Sequence, residues 1–361
     1  MPRVIGIDPG TVSIDLCGLD DGRVFLDRTL STAAALADPA QFVATLMAAR
    51  PLDLIAGPSG YGLPVTRVQD ATDEDLRLAF LAPRGESGGI GGLAALARSL
   101  VHSDLPVVFT PGVIHLASVP DHRKVNRVDM GTADKVAATA LAIDAQARRR
   151  GCAPEDVSLI LLELGGAFTA AVAVAGGQIV DGIGGTAGPL GFRAAGALDG
   201  EVAFLAGAVP KGLLFGGGAA AVAGWDADAV LAERIAHPAT TRERVAFAAL
   251  VESAAKAAIA LTLSAPGFIE FVLSGRLARV PAIRDAIARL LEHSGPVRVL
   301  DGIASTAKEG AQGAAMIADG LAGGRYNVLV ERLGIRQAQG SVIDYLYVVS
   351  PAAARRQLGL S

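Results

Sequence analysis

The sequence predicts an α/β protein of two domains, each a mixed β-sheet flanked by helices, with a cleft between them. Three observations carry that expectation. The chain is 361 residues long, beyond what one hydrophobic core usually serves. Runs of β-branched residues bounded by Gly and Pro alternate with longer helical stretches. One strand–turn–strand pattern also occurs twice. Residues 4–18, VIGIDPGTVSIDLCG, lie over residues 159–173, LILLELGGAFTAAVA, so that Asp8 falls on Glu163, Gly10 on Gly165 and Thr11 on Gly166.

In the first copy, Val4, Ile5 and Ile7 suit a buried strand that runs into Asp8 and turns at Pro9-Gly10, before Val12, Ile14 and Leu16 resume it. A hairpin needs no carboxylate at its buried end. Asp8 either caps the turn through local hydrogen bonds or faces a bound cation while the turn amides and Thr11 face phosphate. The second copy favours the latter: two facing domains then each offer one Gly turn to a polyphosphate held between them.

Between the copies, a strand at 53–57 ends in the Gly-rich loop 57–62, residues 93–102 read as a helix and 106–109 as a short strand. The loop at 84–92, with Arg84 and Glu86 among glycines, reads as a surface loop or a mobile lid. A charge-dense stretch, 120–135, precedes a helix near 132–149 that Thr132 can cap. That helix ends in Arg148, Arg149, Arg150 and Gly151, favourable for its C-terminal dipole. The first domain is set at 1–150. The second, 151–325, opens with a strand at 157–164 and continues with β-rich sequence at 170–180. Thr240 or Thr241 caps a helix at 241–264, which Pro266 and Gly267 stop. A strand at 268–273 ends in Ser274, Gly275 and Arg276. A helix at 281–293, a strand at 297–300 and an Ala/Gly-rich helix at 305–320 follow. Residues 326–361 are expected to form a β-rich extension.

Composition narrows the function classes. The net charge of −4 argues against a general nucleic-acid surface, which needs Lys and Arg in excess. Aromatic residues are only 4%, so Ala, Val, Leu and Ile must build the core. The 44 glycines cluster at strand ends and turns, where backbone approaches something closely. Cys17 and Cys152 form no CxxC and no Cys/His cluster, and read as reduced thiols of a cytoplasmic protein. His102, His115, His237 and His293 share no ligand spacing. No basic–apolar–small leader opens the sequence. The most apolar long stretch, 202–224, holds Pro210, Lys211 and a Gly triplet, and reads as buried loops and helix ends rather than a membrane span. A soluble protein without nucleic-acid or membrane partners is expected.

These motifs resemble the superfamily of acetate and sugar kinases, heat-shock chaperones and actin, over residues 1–320. The resemblance implies two ribonuclease-H-like domains around an interdomain nucleotide cleft, with ATP and Mg²⁺ as ligands. The first phosphate hairpin is matched by Asp8-Pro9-Gly10-Thr11. The second is matched by Glu163-Leu164-Gly165-Gly166 with Thr169, where Glu replaces the usual Asp. The adenosine motif is matched by FVLSGRLARVP, 271–281, with Ser274, Gly275 and Arg276, and Lys308, Glu309, Gly310 and Gly313 resemble the second connecting helix. Asp8 is the first metal candidate, followed by Glu163 and Glu309. Gly216 and Gly217 either pass close to adenine or ribose or form a plain loop. Within the superfamily, GPSGYG (57–62), HRKVNRVDMGTADK (122–135) and GGTAGPLGFRAAGALDGE (184–201) resemble a prokaryotic family described as predicted butyrate kinases.

Phosphoryl transfer is mostly positioning plus charge neutralisation. His122, Arg123, Lys124, Asn126, Arg127 and Asp129 form either the acceptor site or a solvated loop pairing its own charges. In the first case Arg123, Lys124 or Arg127 binds an anionic acceptor or the transferred phosphoryl group, and Asp129 acts as base or metal ligand. Asp134 and Lys135 read as an intrahelical or loop contact. Arg193, Asp199 and Glu201 form a salt link or a nucleotide contact. A sugar hydroxyl needs a base, whereas a carboxylate is already ionised at neutral pH and needs cations. The expectation is an ATP-dependent kinase that takes a small carboxylate to an acyl phosphate, with a homodimer among the expected states. A sugar or polyol kinase and a non-kinase ATP-binding regulator or activator stay open.

Overall fold

The computed structural model describes the whole chain except residues 11, 58–59, 83–89, 268 and 361. The first sheet grows from the run that enters Asp8. β1 (Arg3–Pro9) pairs antiparallel with β2 (Ser13–Asp20), and β2 with β3 (Arg23–Ser31). β4 (Leu54–Ala56) adds parallel to β1, and β5 (Thr66–Arg67) and β6 (Val107–Phe109) complete the order β3-β2-β1-β4-β6-β5. The second sheet repeats the plan. β7 (Leu159–Leu164), β8 (Thr169–Ala175) and β9 (Gln178–Ile183) form an antiparallel meander. β10 (Glu270–Ser274) and β11 (Val297–Val299) extend it in parallel, in the order β11-β10-β7-β8-β9. The sequence repeat is therefore a repeat of topology, with Asp8 and Glu163 near equivalent strand ends. Helices cover both faces of each sheet, so β1 and β7 read as continuous apolar runs.

Helices α1 (Thr32–Ala37), α2 (Pro39–Met47), α3 (Asp73–Phe80) and α4 (Ile90–Val101) cover the outer face of the first sheet, over a core that includes Ile5, Phe42, Ile55 and Phe80. The short α5 (Asp121–Lys124) leads into α6 (Ala133–Arg150), which passes between the sheets and ends on Gly151 in the left-handed conformation. After the short α7 (Gly200–Ala206), helices α8 (Ala219–Ala223), α9 (Thr241–Thr262) and α10 (Pro281–Leu291) cover the outer face of the second sheet. Thr240, not Thr241, caps α9, in a reciprocal box with Glu243. By length and composition α9 is apolar enough to cross a membrane, and its Ala246, Leu250, Ala254 and Ala258 are buried in the core beneath the second sheet.

α11 (Glu309–Leu321) returns to the first sheet and crosses α6. The crossing is made by small residues. A Cβ added at Gly313 would fall 1.7 Å from the Ala137 carbonyl oxygen, and one at Gly6 would fall 2.1 Å from the Ala315 nitrogen. Both helices consequently start at the same place, the space between the two hairpin turns.

The structure differs from the sequence reading in two segments. The tail is helical: α12 (Asn327–Arg332) and α13 (Pro351–Gln357) lie there, and no strand follows Val299 among the described residues. Its Val330, Leu333, Ile335, Val342 and Ile343 join the core between the sheets. Its Val and Tyr content suits a strand, but burial against α6 and α11 decides the outcome. The second segment is the first part of 202–224, which is exposed rather than buried, with Phe204 79% and Leu205 80% accessible. Lys211 carries it across to the first domain, its Nζ donating to the Leu81 carbonyl at the end of α3 at 2.5 Å.

Beneath the tail, His115 is 1% exposed, and neither ring nitrogen has a hydrogen-bond partner among the described residues. Burial pushes its pKa down to about 4, with Lys124 adding to the effect and the Gly112 backbone and Asp344 opposing it. An unfolded chain takes up the proton near 6.5, so stability falls as pH drops from there toward 4. His115→Phe should spare up to about 3 kcal/mol of that loss. Thermal melts at about pH 7.5 and about pH 5 check it; equal acid sensitivity in both proteins would contradict it.

Candidate functional site

The two hairpin turns are built alike. Gly10 N donates to Ser13 O at 2.8 Å, and Gly165 N donates to Phe168 O at 3.0 Å. Each turn is tight on its inner side: a Cβ at Gly10 would lie 2.8 Å from Ser13 O, and one at Gly165 would lie 2.9 Å from Phe168 O. A Cβ at Gly166 would meet nothing within 4 Å among the described residues. Both turns line one cleft of about 290 Å³, together with Asp8, Glu163, Gly275, Arg276, Lys308 and Glu309.

The first turns of α6 and α11 complete the cleft, through Asp134 and Lys135 on one and Glu309 and Gly310 on the other. Two helix N-termini at one point favour an anion there. Lys135 joins the halves of the molecule: its Nζ lies 2.5 Å from Asp134 Oδ2 and 2.6 Å from Glu163 Oε2. Burial opposes the Lys135 charge, but Asp134 and Glu163 more than offset it and raise its pKa. Burial also opposes the Asp134 charge, yet Lys135 and Thr132 hold its carboxyl below the usual range. On the first hairpin, Lys308 Nζ donates to Ser13 Oγ at 2.6 Å and lies 3.0 Å from Asp15 Oδ2. Glu309 is held by Arg279 at 2.6 Å, and Arg276 pairs with Glu233.

Asp8 is different. It is 8% exposed, and no hydrogen bond or ion pair reaches its carboxylate from the described residues. Burial first, then Asp134, pushes its pKa up to about 7, against the pull of Lys308 and Lys135. Gly310 gives it room, since a Cβ there would fall 2.6 Å from Asp8 Oδ2. The result is a buried carboxyl with no protein cation in ion-pair contact, beside a second carboxylate. No three His, Cys, Asp or Glu side chains gather as a metal cage among the described residues. Mg²⁺ does not need one, because it keeps its waters and takes one or two carboxylates plus phosphate oxygens. Asp8 fits that donor set best, because Asp134 and Glu163 are already held by Lys135 and Glu309 by Arg279.

The remaining sequence candidates divide. Ser274 stands opposite Glu163 in the β10–β7 register, and Thr169 opposite Leu164 in the β7–β8 register. Both hydroxyls are buried without a partner among the described residues, in the strands behind the second turn. Gly216 and Gly217 pair with residues 194–195, next to Phe215, which lines the cleft and meets Phe168 edge-on at 5.3 Å. Thr11 and residues 84–89, with Arg84 and Glu86, lie outside the described residues. Arg193 pairs with Asp228, and Asp199 caps α7 with Glu201 in its first turn.

The 122–129 cluster is not brought to the cleft. Lys124 is 4% exposed and donates to Leu116 O at 3.2 Å and Tyr345 Oη at 3.3 Å, which docks the tail. Asn126 Oδ1 accepts from the backbone of Tyr347 and Val348. Asp129 accepts from Thr186 N and Oγ1, both at 2.9 Å, and from Gly131 N at 3.2 Å. Arg123 donates to Val180 O at 2.7 Å. Arg123, Arg127 and Asp129 border a separate cavity that shares no lining residue with the cleft.

Sequence reasoning missed Asp134 and Lys135 as cleft residues and did not weigh Phe168 and Phe215. For Lys135 a signal existed. A Lys in the first turn of a helix opposes the macrodipole, so it needs an anion from elsewhere in the fold.

Two Gly turns with carboxylates, facing across two crossing helices, define a two-domain α/β cleft fold of the acetate kinase kind. The chain belongs to the family described as "Protein of unknown function (DUF1464)", which it matches over residues 6–348. No curated protein sequence matches it. Among solved structures it is similar to a propionate kinase from Francisella tularensis subsp. tularensis SCHU S4, with a TM-score of 0.63 at 12% identity over 87% of this chain and 98% of that one. It is also similar to the acetate kinase of Entamoeba histolytica, with a TM-score of 0.57 at 13% identity over 81% and 86%. The acetate kinase of Porphyromonas gingivalis gives 0.56 at 14% identity over 81% and 88%. At these identities the likeness is one of fold.

The Asp8 carboxyl yields a prediction for the ligand-free protein. The folded state holds its proton up to about pH 7 and the unfolded state only to 3.8, so stability falls as pH rises between them. Asp8→Asn should raise the melting temperature, and by more at about pH 8 than at about pH 5. A gain that does not change with pH would contradict an unpartnered, buried Asp8 carboxylate.

Proposed function

We propose that the chain is an ATP-dependent phosphotransferase that converts a short-chain carboxylate such as butyrate to its acyl phosphate, with Mg²⁺. The observation that carries this reading is the single cleft in which both Gly turns, two helix N-termini and the cation-free Asp8 converge. The amides of Gly10, Gly165 and Gly166 would hold the phosphates, with Lys135 and Lys308 supplying positive charge. Asp8 would hold Mg²⁺, which when bound would neutralise phosphate charge. Gly275 and Arg276 would flank the nucleoside end.

With Asp8 assigned to Mg²⁺, the remaining candidate bases favour a carboxylate over a hydroxyl acceptor. Asp134 is held at low pKa by Lys135 and Thr132, and a weak base is a poor partner for an alcohol proton. Asp129 is committed to Thr186 and Gly131, away from the cleft. A carboxylate acceptor arrives ionised and asks for neither. The solved structures similar in fold include proteins titled acetate kinase and propionate kinase. A second reading, a nucleotide-driven switch without an acceptor, draws on one observation: Lys135, Lys308 and Arg276 are all ion-paired within the protein.

ATP-dependent acyl phosphate formation across a panel of short carboxylates, trapped with hydroxylamine, separates the two. The expected result is hydroxamate with at least one acid, reduced by about 10²–10³-fold in Asp8→Ala. A protein that binds ATP tightly and gives no hydroxamate with any acid would sink the kinase reading and leave the switch.

A further inference from the structure

The 122–129 cluster, displaced from the cleft, borders a cavity of about 360 Å³ enclosed by α5, β9 and the C-terminal end of α9. We propose that this cavity is a second ligand site, distinct from the nucleotide cleft, and that it takes a small monocarboxylate with a short apolar tail. Its lining carries two guanidinium groups, Arg123 and Arg127, with the His122 ring beside them and two acids, Asp129 and Asp181. Val125, Ile183 and Leu261 add apolar surface to the same lining. The volume sits at the small end of the range for ligand pockets, about 300–1,000 Å³.

The charges in the cavity are not interchangeable. Asp181 is occupied: its Oδ2 accepts from Ser264 at 2.5 Å and lies 3.8 Å from Arg123 Nε. Asp129 is occupied by Thr186 and Gly131. Arg123 is fixed in place by the Val180 carbonyl. Arg127 is exposed, and its guanidinium meets no hydrogen bond or ion pair among the described residues. A guanidinium next to a cavity whose acids are spoken for suits an incoming carboxylate, which it can grip with two parallel bonds. Phosphate would satisfy the same guanidinium but leave the apolar surface unused.

The cavity also touches the cleft through one loop. A Cβ at Gly184 would fall 1.8 Å from Asp129 Oδ1, and one at Gly185 would fall 2.7 Å from the Phe168 side chain. The loop at 184–186 is thus pressed between Asp129, at the cavity, and Phe168, at the cleft. An anion that settles beside Arg127 acts as an effector at this position, not as the phosphoryl acceptor.

The test uses the full chain without nucleotide and follows isotope-labelled butyrate by NMR titration. Saturable binding is expected in the wild type, weakened about tenfold or more in Arg127→Gln, which removes the charged donor from an exposed position. Ala260→Glu, also at an exposed position, should do the same by placing an anion at the wall. Asp8→Asn should leave the Arg127-dependent binding intact, and inorganic phosphate should bind more weakly than butyrate. Absence of butyrate binding, binding that ignores both Arg127→Gln and Ala260→Glu, loss in Asp8→Asn, or phosphate binding as tight as butyrate would each overturn the proposal. The experiment involves no ATP and no turnover, so its failure is distinguishable from failure of the kinase reading.

Discussion

Two helices cross between the sheets with no space for a side chain where they touch, and the site follows from that contact. Gly313 meets the Ala137 carbonyl, and Gly6 of the first strand meets the backbone of α11 around Ala311 and Ala315. Close packing of backbone on backbone fixes where α6 and α11 begin. Their first turns then supply Asp134, Lys135, Glu309 and Gly310 to the space between the hairpins. An Ala-rich core with few aromatic rings is suited to such an approach, because bulk at the crossing would separate the helices.

Charge completes what packing starts. Lys135 binds Asp134 on its own helix and Glu163 on the other half of the chain, so one ammonium spans the cleft floor. Removing it would leave two carboxylates facing each other in a buried place, a costly arrangement. Asp8 is left without such relief. A fold that buries a carboxyl without a partner loses stability as pH rises and the group must ionise, and a ligand that brings a cation recovers that loss.

Much of this was legible in the sequence, for identifiable reasons. The hairpins announce themselves because a carboxylate at the buried end of an apolar strand has no structural need to be there, and because the pattern recurs at Glu163. The strand and helix order is legible because the apolar periods are long and the end signals at Thr240 or Thr241, Gly151 and Pro266-Gly267 are strong. The tail was not, since the β-propensity of Val342, Ile343 and Val348 is overridden by packing on α6 and α11 and by side-chain-closed turns such as Ser341–Asp344. The 122–129 cluster looked like acceptor chemistry because it is dense in charge. Its Lys124 and Asn126 instead anchor the tail, and its Asp129 anchors the 184–186 loop, contacts between segments far apart in sequence that spacing does not reveal.

The central claim is that one Mg-nucleotide is held between the two Gly turns. Calorimetric titration of MgATP into the full chain, with one variant in each half, tests it most directly. Gly166→Val suits this purpose because a Cβ there meets nothing within 4 Å among the described residues, which gives the added side chain room on the cleft side. Binding in the wild type, weakened about tenfold or more both by Gly166→Val and by Asp8→Ala, is the predicted result. No MgATP binding in the wild type, or binding that only one half of the molecule influences, would contradict it.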